Sequence, residues 1–163
     1  MNDTAKMQVT TPTDREIVMT RVFDAPRDLV FDAWTKPELL RRWLGVFNGW
    51  TFAVCEVDLK VGGAYRFVWR GPDGNEMGMG GVYREIARPE RLVSTEKFDE
   101  AWYPGEALDT MVLTEKDGNT TCTLSVLYAS KEARDGVLVS GMDKGVAESY
   151  DNLDEVLKSM AVT

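Results

Sequence analysis

The chain has 163 residues, 44% of them hydrophobic and 28% charged, a composition that predicts one globular domain with enough apolar material for a core. Its 27 acidic residues outnumber 19 basic ones, for a formal net charge of −8; the basic residues are scattered, so the cationic face that phosphate backbones or anionic lipids require is missing and nucleic acid is excluded as an expected partner. Histidine is absent, which removes Ser–His and Cys–His nucleophilic pairs, histidine-containing zinc sites and the usual general base near neutral pH.

Met1 to Asp14 is polar, lacks the apolar core of a secretory signal, and reads as a flexible tail ahead of a single domain over 15–161. The first strand is expected at Glu16–Asp24. Pro26 and Pro37 each suit the first turn of a short helix, where a missing N–H costs nothing. Leu29, Val30, Ala33 and Trp34 form the apolar stripe of the first helix; Leu39, Leu40, Trp43 and Leu44 form that of the second, which ends near Gly45.

From Trp50 the pattern changes to strands. Tyr65, Phe67 and Trp69 share one face, against Arg66, Val68 and Arg70 on the other, the clearest period-2 signal in the chain. Gly71-Pro72-Asp73-Gly74 predicts a type I turn followed by a left-handed glycine, and Asp117-Gly118 predicts a tight hairpin. Between them lie strands over Met77–Ile86, Leu92–Phe98 and Leu108–Glu115. The acidic stretch Asp99, Glu100, Glu106, Asp109, passing Trp102 and Pro104, reads as a solvated loop long enough to gate a pocket. Tyr128 closes the last strand.

Ser130 is expected to cap a short helix through Val139, and Ser140, with Asp143 three residues on, to cap the next. In that last helix Met142, Val146, Tyr150, Leu153, Val156, Leu157 and Met160 recur at three- and four-residue steps and form one apolar stripe. It is long enough, at about 1.5 Å per residue, to cross a sheet of several strands. No apolar run approaches the ~18–20 residues of a membrane span, so membrane insertion is not expected.

This order of elements predicts an α+β helix-grip fold. A curved antiparallel β-sheet wraps a long C-terminal α-helix, two short helices lie between the first and second strands, and a gap between sheet and helix forms an apolar pocket. The residues also carry a resemblance. Phe23-x-Ala25-Pro26, Val30-Phe31-x-Ala33-Trp34-Thr35-x-Pro37-Glu38, Cys55-Glu56-Val57-Asp58-x-x-x-Gly62-Gly63 and Gly81-Val82-Tyr83 resemble the SRPBCC superfamily, the START-like or birch-pollen-allergen-like proteins. The ending resembles it too, in Tyr128-x-Ser130-x-Glu132-Ala133-Arg134-Asp135, Ser140-Gly141-Met142-x-x-Gly145 and Ser149-Tyr150-Asp151-x-Leu153. Within it the chain is most similar to the branch of activators of heat-shock-protein-90 ATPase and calicheamicin-resistance-like proteins. The resemblance implies a cavity for a lipid-like or polyketide-like ligand, or a stress-response co-chaperone role.

The expected function is non-catalytic binding of a hydrophobic small molecule, without cofactor or metal, in a cytoplasmic protein that forms a homodimer to cover edge strands and Trp102. The alternatives are a co-chaperone that stimulates a heat-shock-protein ATPase and a cavity enzyme of hydratase or cyclase type, with Tyr150 and Glu85 as acid and base. Cavity candidates are Trp34, Trp43, Phe47, Tyr65, Phe67, Trp69, Met79, Tyr83, Met111, Met142, Val146 and Tyr150; each either lines the cavity or packs the core. Glu56 and Asp58 alternate on a strand and are expected to face solvent. Gly78-x-Gly80-Gly81 lacks the ending and helix of a phosphate loop. Cys55 and Cys122 are expected to be buried free thiols.

Overall fold

A computed structural model describes residues 6–100 and 105–161. Its strands are β1 (Gln8–Thr10), β2 (Glu16–Phe23), β3 (Thr51–Val57), β4 (Ala64–Arg70), β5 (Glu76–Ala87), β6 (Arg91–Phe98), β7 (Ala107–Lys116) and β8 (Asn119–Leu127). The helices are α1 (Arg27–Thr35), α2 (Pro37–Leu40), α3 (Lys131–Ser140) and α4 (Met142–Ala161). The strands form one eight-stranded sheet in the order β1-β2-β8-β7-β6-β5-β4-β3, antiparallel throughout. The helix-grip expectation holds.

Local sequence explains the joints. Asp117 and Gly118 both take positive φ, 53° and 81°, and join Lys116 to Asn119, the twist a two-residue hairpin needs. Gly74 closes its turn by donating its N–H to the Gly71 carbonyl at 3.0 Å. The Ser130 hydroxyl oxygen accepts from the Ala133 N–H at 3.1 Å and caps α3.

The structure corrects several expectations. Gln8–Thr10 pairs with β2 as an edge strand inside what reads as a tail, so the two short helices lie between the second and third strands. Its three polar-flanked residues carry too little periodicity to announce a strand. Ser140 does not cap α4: it is the last residue of α3, and its hydroxyl donates back to the Val137 carbonyl. Gly141, at φ 82°, ends α3 instead. Asp109 sits inside β7, as the strand expected over Leu108–Glu115 has it, so the acidic loop ends before it. Trp102 and Pro104, which the gating and dimer expectations invoke, lie outside the described residues.

The sheet's concave face carries two adjoining apolar clusters. One gathers Phe23, Val30, Phe31, Trp43, Phe67, Tyr150, Leu153 and Leu157 around α1, α2 and the second half of α4. The other joins Ile17, Met19, Val126, Tyr128, Ala133 and Val137 beneath α3. Buried Arg21 of β2 bonds Asp151 of α4 at 2.8 Å, which ties sheet to helix. Among the described residues no helix is long and apolar enough to cross a membrane.

Candidate functional site

A cavity of about 590 Å³ opens where the two clusters fail to close. Its floor is Met19 of β2, Leu124 and Val126 of β8, Trp69 of β4 and Met79 of β5. Val137 of α3 and Met142, Gly145, Val146 and Ser149 of α4 form the roof. Leu44, Gly45, Phe47 and Trp50, in the link from α2 to β3, close one side; Met77 and Phe98 close another. The volume suits a drug-sized ligand, and the lining is almost entirely apolar.

One side of this space is held by hydrogen bonds. The Trp69 indole Nε1–H donates to the Leu44 carbonyl at 2.8 Å, and the Gly45 N–H donates to the Ser149 hydroxyl oxygen at 2.9 Å. The Asn152 side-chain amide donates to the Val46 carbonyl at 3.0 Å. Gly45 sits at φ +70°, and a Cβ there would come within 2.6 Å of Trp69 Nε1, so only glycine lets the link lie against that indole.

Of the cavity candidates, Phe47, Trp69, Met79, Met142 and Val146 are brought together around the space. The others are packed elsewhere. Trp34 and Trp43 stack edge-on at 4.9 Å, and Trp34, Trp43 and Phe23 surround Tyr150 at 6.1, 6.2 and 5.6 Å. The Trp43 Nε1–H donates to the Ala33 carbonyl at 2.9 Å. Tyr65, Phe67 and Tyr83 form an aromatic row, Tyr65 lying 4.9 Å from Phe67 and 5.5 Å from Tyr83; the Tyr65 hydroxyl donates to the Thr95 carbonyl at 2.6 Å. Met111 is buried in the core opposite Leu124.

Glu56 and Asp58 are exposed, as expected. A register shift between Phe52 and Val54 restores Phe52 to the inner face, opposite Trp69, although simple alternation would place it with the carboxylates. Glu85 is also outside the cavity, paired with Arg91 at 2.9 Å on the surface. Cys55 and Cys122 are free and buried, and burial raises their thiols to about 11 and about 12 respectively. Neither is a thiolate at neutral pH.

The carboxyl in the cavity wall is Glu96 of β6, which the sequence reading missed. On the same strand face Leu92 is buried and Phe98 lines the cavity, so a glutamate two residues before Phe98 was the available signal. Asp109 of β7 pairs with Ser94 across one ladder and Val126 across the other, which puts it on the same concave face. Burial pushes Glu96 above the usual carboxylate range. Burial, and then the neighbouring Glu96 charge, push Asp109 further up. Asp109 Oδ1 and the Tyr150 hydroxyl are buried without a hydrogen bond of ordinary geometry. Burial, followed by the adjacent Cys122, also holds the Tyr150 hydroxyl well above its usual range. Among the described residues no cluster of metal-ligating side chains forms.

Comparison with known proteins agrees with the architecture. Residues 24–158 match the family model described as activator of Hsp90 ATPase homolog 1-like protein. A crystal structure of a Rhodobacter sphaeroides protein is 34% identical, covers 94% of this chain and 99% of its own, and superposes with a TM-score of 0.89. An Arthrobacter aurescens protein solved by NMR is 26% identical over 93% of this chain and 91% of its own, at a TM-score of 0.81. A Plasmodium falciparum protein described as an HSP90 activator shares the fold at 23% identity and a TM-score of 0.66, over 88% of this chain and 96% of its own. No curated relative matches.

Proposed function

The chain belongs to the activator of Hsp90 ATPase homolog 1-like family, and from that premise we propose that it binds a hydrophobic small molecule, lipid-like or aromatic, without transforming it. The observation that carries this reading is the apolar cavity of about 590 Å³ between the first half of α4 and the sheet. A close-packed domain leaves few voids larger than a water molecule, so a space of this size, walled by aromatic and methionine side chains, suits a guest. The raised thiols of Cys55 and Cys122 support a binding role over nucleophilic chemistry, and two free buried cysteines suit the cytoplasm.

The test is native mass spectrometry of the purified protein, followed by thermal shift against a library of apolar and aromatic compounds. A binder present at about 100 times its Kd stabilises by about 2.7 kcal/mol. Val146→Trp, which places an indole in the cavity, is expected to abolish the shift while the protein stays folded. No shift from any compound would overturn the reading.

The family name and the plasmodial protein support a second reading, stimulation of a heat-shock-protein ATPase through the exterior. An ATPase titration that stays flat removes it.

A further inference from the structure

On the reading that the cavity binds a hydrophobic ligand, we propose that this ligand carries a protonated amine, which the Glu96 carboxylate receives at the inner wall. Among the described residues, Glu96 is the one carboxyl-bearing residue in the cavity's lining. Asp109 stands beside it on the next strand, between β6 and β8, with Oδ1 buried and without a hydrogen bond of ordinary geometry. Among the described residues no salt bridge reaches either side chain.

The other ionisable groups on this face give the pair no positive charge. Tyr65 of β4, Tyr83 of β5, Cys122 of β8 and Tyr150 of α4 are all shifted toward their neutral forms, chiefly by burial. Arg21 of β2 is held by Asp151 of α4. Two carboxyls side by side disfavour ionisation of both, so Asp109 and Glu96 share a proton across their contact. The pair thus presents a shared negative charge mostly out of water, with Glu96 at the apolar space and, among the described residues, no ion-paired cation. An incoming ammonium has only its own desolvation to overcome, because the protein's share of that cost is present in the empty state. A ligand carboxylate meets repulsion instead.

The experiment compares dodecylamine, dodecanol and dodecanoate, below their micellar concentrations, by calorimetry on the full chain. The amine is expected to bind about tenfold more tightly than the alcohol, the size of one charge-assisted hydrogen bond, and the carboxylate most weakly. In Glu96→Gln the amine and alcohol are expected to converge to within about twofold, the surface charge that could attract amines elsewhere being otherwise unchanged. Equal binding of amine and alcohol by the unmodified protein would overturn the proposal and leave the cavity reading standing; so would an amine preference that survives in folded Glu96→Gln. If none of the three binds, the amine proposal falls, and the cavity reading is decided by the wider library. Should Glu96→Gln not fold, the pH profile decides: the amine-to-alcohol ratio rises with pH as Glu96 loses its proton, and a flat ratio counts against it.

Discussion

From Tyr150 to Leu157, α4 is seated on the sheet: Tyr150, Leu153, Val156 and Leu157 are each at most 4% exposed, and three aromatic rings close around Tyr150. Between Met142 and Ser149 the same helix roofs the cavity. Both halves show the same apolar stripe, so periodicity does not distinguish them. What differs is side-chain size. Large side chains fill the space between helix and sheet in the second half. Gly145 and Ser149 leave it open in the first, and the neighbouring link supplies the wall. A stripe shows which face turns inward, while the distance of approach depends on what both surfaces bring to the contact.

The sharpest way to break this comparison is to truncate one residue in each half. Leu153→Ala is expected to cost about 2–5 kcal/mol in urea unfolding, because its neighbours cannot follow the retreating side chain. Val146→Ala is expected to cost under about 1.5 kcal/mol, since one side of Val146 already borders empty space and has fewer contacts to lose. Equal costs would mean that the first half is packed as tightly as the second.

The boundary between the halves is expected to be sensitive to pH. Glu96 and Asp109 both have folded-state values above those of free carboxyls. The stability they contribute is fully present below about pH 4, the unfolded range, and is lost as pH rises through the folded values. Asp109→Asn removes one of these titrations. It should therefore stabilise the protein relative to the unmodified chain more at pH 8 than at pH 5, as read from urea midpoints. Equal stabilisation at the two pH values would show that the carboxyls are solvated.

The smallest effect sharpens the comparison from the cavity side. A Cβ on Gly145 would meet Phe47 at 3.5 Å, an ordinary contact. Gly145→Ala should then raise stability by up to about 1 kcal/mol through helix propensity alone, measured by thermal melting. Destabilisation would show the roof to be tighter than its geometry indicates.

Much of the fold was legible because short-range rules govern it. The alternation of Tyr65, Phe67 and Trp69 marked an inward strand face, Asp117-Gly118 demanded its hairpin, and Ser130 its helix start. The stripe from Met142 to Met160 identified the gripping helix. The cavity was less legible. Trp34, Trp43 and Tyr150 have the composition expected of a pocket wall, yet they pack on one another, and no local pattern separates an aromatic that lines a space from one that fills it. The bulge between Phe52 and Val54 changes which side chains face inward without a glycine or proline to announce it. Glu96 drew no reading of its own, and Asp109 was counted with a solvated acidic stretch, because carboxylates are rarely buried; only their strand parity argued otherwise.

Gly45 has a consequence beyond its own conformation. Its N–H is held by Ser149, its neighbour Leu44 is held by the Trp69 indole, and Val46 is held by Asn152. The rim of the cavity is therefore latched to sheet and helix before any guest arrives. Under the proposed binding role, such a wall selects by fit instead of remoulding itself around each guest, and little of a guest's interaction energy is diverted into ordering it.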